Sequence, residues 1–178
     1  YAEKDDRSIG DVIRFLVTSD VPKLADGHLN KKYIIKDTMD AGLTYKDNLQ
    51  LSLGQVSKAA SDLVRDTDYA VALSGTDGRE VTVTLTEAGL AKLDNISSAS
   101  HLFLTYDALL NKAAVIAENG NANKPSLVFS TDRTQDSLIE GNTVKIFTYH
   151  LELTKTFTPE TSGYSEVSFS VKSNNKNL

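Results

Sequence analysis

The chain has 178 residues with 24 acidic and 19 basic side chains, a net charge of −5, one methionine, no tryptophan and no cysteine. An acidic balance without a Lys/Arg cluster lacks the electrostatic footprint of a polyanion binder, so nucleic acid and anionic membrane are not expected as partners. The absence of cysteine excludes disulfides, thiol catalysis and Cys-ligated metals, and His28, His101 and His150 lack zinc spacing, so neither metal nor cofactor is expected. No apolar run approaches the roughly 18 residues of a membrane span, and Tyr1-Ala-Glu-Lys-Asp-Asp6 is too charged to begin a signal peptide. A soluble segment without membrane insertion is the expectation, long enough for one domain and part of another.

Period-2 patterning runs through most of the chain and predicts strands over 11–18, 32–36, 49–53, 69–73, 80–86, 102–108, 126–130, 143–154 and 165–171. The clearest is Glu80-Val-Thr-Val-Thr-Leu-Thr86, with Val81, Val83 and Leu85 on one face and the polar residues on the other. Asp26-Gly27, Asp77-Gly78, Asn119-Gly-Asn121 and Glu140-Gly-Asn142 supply turns. Two short helices are predicted, over 55–64 from the spacing of Val56, Ala59, Ala60 and Leu63, and over 86–93, where Thr86 is a capping residue. Short strands punctuated in this way argue for a β-sandwich of roughly seven to nine strands.

Composition shifts at Asp132-Arg-Thr-Gln-Asp-Ser-Leu-Ile-Glu-Gly-Asn142, which is polar and turn-forming and precedes a new strand pattern at Thr143. The expected layout is a first domain over 1–133, a linker over 134–142, and an incomplete second domain over 143–178, whose two strand patterns are too few for a core of their own. The tail Lys172-Ser-Asn-Asn-Lys-Asn-Leu178 is expected to fray.

Several segments, in order, carry a family resemblance: Ser8-Ile-Gly-Asp-Val-Ile13, Val21-Pro22, Tyr33-Ile-Ile-Lys-Asp-Thr-Met-Asp-Ala-Gly-Leu-Thr44, Glu87-Ala-Gly-Leu-Ala-Lys-Leu93, Leu104-Thr-Tyr-Asp-Ala-Leu-Leu-Asn-Lys-Ala-Ala114 and Gly120-Asn-Ala-Asn-Lys-Pro-Ser-Leu-Val-Phe-Ser130. Together they resemble the isopeptide-forming domains of Gram-positive sortase-assembled pilins and surface adhesins, specifically the fimbrial D2-type domain. Val144-Lys-Ile-Phe-Thr-Tyr-His-Leu-Glu-Leu-Thr-Lys155 and Ser168-Phe-Ser-Val171 resemble the first strands of a Cna B-type domain. The resemblance implies an all-β, immunoglobulin-like (Cna-type) β-sandwich with one or two short helices, followed by the first strands of a second sandwich. It further implies a structural pilus subunit rather than an enzyme, extracellular and wall-anchored, linked by sortase to other pilin subunits.

In that family an intramolecular Lys–Asn amide replaces the missing disulfides. The chemistry needs a neutral lysine amine and a protonated carboxyl group, both of which burial favours by disfavouring the charged forms. The acid then polarises the side-chain carbonyl and passes a proton to the departing group, while the fold supplies proximity. The resemblance implies Asp37 as this acid; its plain alternative is an Asp capping the turn before Ala41-Gly42. Lys4, the only lysine ahead of residue 11, is the visible donor, and otherwise an ordinary solvated lysine.

Relatives usually end the last strand with Asn, where this chain has Thr131 followed by Asp132. Threonine cannot form the amide; Asp132 can in principle, but alternation turns it to the other face unless a bulge intervenes. Asn123 and Asn111 are weaker acceptors, read as a turn residue and a strand-end residue. Lys155 resembles the donor of the second domain, whose partners would lie beyond Leu178.

Asn119-Gly-Asn-Ala-Asn123 lacks the acidic alternation of a calcium loop and the Lys-Ser/Thr of a phosphate loop, and reads as a tight turn. Asp5, Asp6, Asp62, Asp66 and Asp68 read as solvated acids. A rival reading makes the chain an adhesin that grips host matrix or a cell-surface glycan through loops at 24–31 or 54–68. A hydrolase has no supporting constellation.

Overall fold

The computed structural model describes residues 3–21, 31–54, 61–94, 100–117, 119–130, 135–150, 154 and 156. In chain order they form β1 (Lys4–Asp6), β2 (Val12–Asp20), β3 (Tyr33–Met39), β4 (Leu43–Tyr45), β5 (Gln50–Gly54), β6 (Ser61–Asp62) and β7 (Tyr69–Ser74). There follow a 3-10 turn over Thr76–Gly78, β8 (Glu80–Leu85), α1 (Glu87–Asp94), β9 (His101–Leu110), β10 (Asn121–Ser130), β11 (Asp136–Glu140) and β12 (Val144–Phe147).

The first sheet runs β1-β12-β10-β3-β8-β7, and the second runs β2-β9-β5-β6 with β4 also on β9. β3 occupies one edge of β10, and two successive strands share the other: β12 pairs with Asn121 to Asn123 and β11 with Ser126 to Ser130. All these pairs are antiparallel except β1 with β12, which is parallel. This is the all-β two-sheet sandwich with a short helix that the alternation implied.

Strand periodicity builds the core directly. On β9, Leu102, Leu104, Tyr106, Ala108 and Leu110 are buried while the residues between them are half-exposed. They meet Tyr33, Ile35 and Met39 of β3 and Val81, Val83 and Leu85 of β8 in one cluster. Each such aliphatic side chain contributes about 1.5–3 kcal/mol through its removal from water. The same alternation on β3 sends Asp37 into this interior, between Ile35 and Met39.

The helix is positioned by its cap and by one small residue. The Thr86 hydroxyl accepts from the Gly89 amide at 3.2 Å and donates to the Thr67 carbonyl at 2.6 Å, as a capping threonine should. A Cβ at Gly89 would stand 2.0 Å from the Asp68 carbonyl, so only glycine lets α1 lie this close. Asp68 itself is a correction to the solvated-acid expectation. Its side chain is 1% exposed, accepting from the Val64 amide at 2.7 Å and from Lys92 at 2.5 Å, and Lys92 above all holds its carboxyl below the usual range.

The strands expected in the first 110 residues appear with their ends moved by a few positions. Downstream the structure departs from the expected layout. Residues 136–140, expected in the linker, and 144–147, expected in the second domain, are strands of the first sheet. The open edge of β10 explains this: polar composition at 132–142 hides a strand that ladder bonds attach, helped at its two ends by the ion pairs Lys32–Asp136 and Lys124–Glu140. The strand expected from 126 also begins earlier, at Asn121, so the expected turn at 119–123 closes before Asn123. Ser61 and Asp62 pair with β5 as a strand, which ends the expected helix over 55–64 at its C-terminal side; residues 55–60 lie outside the described residues, as does the strand expected over 165–171.

Candidate functional site

The buried polar groups converge at one point. Asp37 of β3 and Asn123 of β10 lie diagonally across one strand pair, since Asp37 faces Pro125 and Asn123 faces Met39. Tyr106 comes from β9 of the opposite sheet, seated between Phe15, with ring centroids 5.4 Å apart, and Tyr45, at 5.7 Å. Its hydroxyl donates to Asp37 Oδ2 at 2.7 Å and accepts from Asn123 Nδ2 at 2.8 Å; the same Nδ2 lies 3.3 Å from Asp37 Oδ2. Tyr106 is fully buried, and Asp37 and Asn123 are each 2% exposed.

Burial pushes the Asp37 carboxyl up from 3.8 to about 6, against the bonds from Tyr106, Asn123 and the Thr38 backbone, which favour the anion. The Tyr106 phenol is driven well above its ordinary value, first by burial and then by the facing carboxylate. Asp37 Oδ1 and Asn123 Oδ1 are buried with no hydrogen-bond partner among the described residues. The carboxyl group therefore keeps one oxygen that can carry a proton, and the amide of Asn123 keeps its carbonyl oxygen unengaged.

An opening leads to this point. A cleft of about 690 Å³ runs between β2 and the β10–β12 edge, lined by Phe15, Val17, Leu127, Phe129 and Val144, with Asn123 in its wall and Glu3 at its rim. Its apolar lining suits an alkyl chain.

The expected site residues divide. Asp37 is buried in the interior. Lys4 is exposed on the outer face: it pairs with Lys145, whereas the inward row continues through Asp5, Ile146 and Asn121. The structure does not bring Lys4 to Asp37. Asp132, Thr131 and Lys155 lie outside the described residues. The last residue of β10, Ser130, stands five positions past the cross-strand partner of Asp37, about 17 Å along the strand.

Asn123, read as a turn residue, is instead the amide beside Asp37. The register carries the signal: the alternation that turns the half-buried Leu127 and Phe129 toward the core also turns Asn123 inward once the strand extends back to 121. Asn111 is the strand-end residue it was expected to be, donating to the Ala41 carbonyl and the Thr44 hydroxyl at 2.9 Å. Tyr106 was not singled out from the sequence, where it reads as one more apolar strand residue. Among the described residues no group of acids and histidines is arranged to hold a metal, and no helix is long and apolar enough to cross a membrane. The loop regions 24–30 and 55–60 of the rival adhesin reading lie outside the described residues, as does His28; His101 pairs with Asp20 at 2.8 Å.

The two-sheet, Cna-type sandwich is a fold shared with solved Gram-positive major pilins. The chain belongs to the Gram-positive pilin backbone family: residues 9–133 match the model described as Gram-positive pilin backbone subunit 2, Cna-B-like domain. It is 40% identical over 85 residues to fimbrial subunit type 2 of Actinomyces naeslundii, covering 48% of this chain and 14% of that protein. It is 25% identical over 145 residues to the trypsin-resistant surface T6 protein of Streptococcus pyogenes, covering 79% of this chain and 24% of that one. In fold it is similar to BcpA, the major pilin subunit of Bacillus cereus, with a TM-score of 0.64 at 16% identity over 82% of this chain and 37% of that chain. The chain thus spans under a quarter of the length of these two sequence relatives.

Proposed function

We propose that this chain is a structural segment of a cell-surface pilus, one sandwich in an extracellular, wall-anchored shaft whose subunits are joined covalently by sortase. Family membership over residues 9–133 supports this reading, and the relatives named fimbrial subunit and surface T6 protein agree with it. A sortase-inactivated parent strain checks it: the chain should move from a high-mass ladder in wall extracts to a single monomer band. A monomer band in both strains overturns the reading.

The cluster carries the finer proposal, an amide cross-link formed once within each molecule with no external substrate. The Nζ of a neutral lysine attacks Cγ of Asn123, the new C–N bond replaces the bond to the side-chain nitrogen, and ammonia leaves. Asp37, protonated on the oxygen that Tyr106 leaves free, donates to the amide carbonyl and then shuttles a proton to the leaving nitrogen. Lys4 is the donor on this reading. β1 has only three residues and lies at a sheet edge; a slip of one residue moves Lys4 from the outer to the inner row, on the strand whose preceding residue, Glu3, borders the cleft. Asp132 is the competing acceptor, with loss of water in place of ammonia.

The deciding measurement is mass spectrometry of the intact chain and its peptides. A deficit of about 17 Da with Lys4 joined to Asn123 supports the proposal, one of about 18 Da with Lys4 joined to Asp132 shifts the acceptor, and full mass removes the cross-link. Asp37→Asn should restore the full mass. A second unit after the sandwich, of Cna B type with Lys155 as its donor, completes the proposed layout.

A further inference from the structure

We infer that the end of the sandwich around Val115, Ile116 and Tyr149 is a preformed seat for the stretch of this chain that follows His150. Of the nine large apolar side chains exposed among the described residues, Ile9, Val12, Val115, Ile116 and Tyr149 belong to the segments that meet at this end. Backbone bonds tie those segments together: Arg7 N donates to Phe147 O, Gly10 N to Leu110 O, and Ala117 N to Thr148 O. Exposed apolar groups on segments that meet at one end of a domain, rather than scattered singly, mark an interaction surface.

The seat is held rigid. Asn121, fully buried, accepts from the Val115 amide at 2.8 Å and donates to the carbonyls of Val115 at 3.1 Å and Ile146 at 3.2 Å, so one side chain uses its whole amide to fix the loop. Gly42 backs it: a Cβ there would stand 2.0 Å from Asn121 Oδ1. A loop whose side chains protrude while its backbone is pinned has already lost the conformational freedom that binding otherwise removes.

The occupant follows from where the chain leaves. β12 ends at Phe147, and Thr148 and Tyr149 are themselves part of the seat, so the next residue begins on its rim. Tethering at this distance gives an effective concentration on the order of millimolar, enough for a small apolar contact. The stretch from 151 to 171 carries Leu151, Leu153, Val167, Phe169 and Val171 in alternation with polar residues, which supplies an apolar face of matching chemistry. This inference rests on the proposed second unit after His150, and the experiment separates the two.

Hydrogen exchange is compared on the full 178-residue chain as wild type, Ile116→Asp, and Leu73→Asp as an exposed apolar control on β7. The expected result is protection within 151–171 that drops at least about tenfold in Ile116→Asp, with β9 amides unchanged and the Leu73→Asp chain like wild type. Equal protection of 151–171 in all three chains overturns the seat while keeping a second unit; no protection in any of them overturns both. If Ile116→Asp lowers β9 protection, Ile116→Ser replaces it and is read in the same way.

Discussion

The Tyr106 hydroxyl donates to Asp37 Oδ2 at 2.7 Å, and this contact joins the two sheets through polar atoms within a largely apolar interior. Phenylalanine fills the same volume without the donor and leaves both Asp37 and Asn123 short of a partner. Tyr106→Phe should therefore cost about 1–3 kcal/mol in chemical denaturation at neutral pH. A loss under about 0.5 kcal/mol would show that the bond contributes nothing net. The same change should push the Asp37 carboxyl higher still, since it removes the strongest bond favouring the anion.

The carboxyl of Asp37 makes stability depend on pH in a definite direction. Its folded value is about 6 against an ordinary 3.8, so between these limits the folded chain holds a proton that the unfolded chain has released. Stability from this group is full below about pH 4, falls as pH rises to about 6, and is flat beyond; the shift corresponds to about 3 kcal/mol. Asp37→Asn should abolish that slope, measured as thermal midpoint against pH from 4 to 7. An unchanged slope would assign it to another group.

Lys92→Met tests the second buried carboxylate. Asp68 keeps the Val64 amide but loses its cation, and because the lysine is half-exposed the cost at pH 7 should be only about 1 kcal/mol. Here the folded value is depressed, so the stabilisation is present above the ordinary carboxylate range and disappears on acidification. Wild type and variant should converge as pH falls below the ordinary carboxylate range; a constant gap in urea midpoints would mean lost packing rather than lost charge.

Gly42→Ala should cost about 1–3 kcal/mol or more, because the added methyl meets Asn121 Oδ1 and the Ala114 backbone with little room to yield. Its signature is local: faster exchange of the Val115 amide, whose acceptor is displaced. Global loss with the Val115 amide still protected would contradict the clamp assigned to Asn121.

What could be read from the sequence follows from how each strand is encoded. β8 and β9 were legible because one face is apolar and the other polar, and Glu80-Val-Thr-Val-Thr-Leu-Thr86 says so in its letters. β11 was not, because Ser137 to Glu140 stay largely in water and join the sheet through backbone bonds to Leu127 and its neighbours. Asp37 could be found through its apolar flanks and the family motif. Asn123 could be offered only as a weaker acceptor and Tyr106 not at all, because choosing them requires knowing that β10 starts at Asn121 and that β9 crosses over Asp37, which are facts of register and layer packing. Asp68 was misread for the same reason: Thr67 and Asp66 beside it are exposed, and only the close approach of α1 covers it.

The parallel pairing of β1 with β12 has a mechanical consequence. Among the described residues β1 is the first strand and β12 the last, with Lys4, Asp5 and Asp6 set against Lys145, Ile146 and Phe147. Tension between the two ends drags the strands past each other lengthwise, so their bonds are strained in shear and resist together. An antiparallel terminal pair would open like a zipper, one rung at a time.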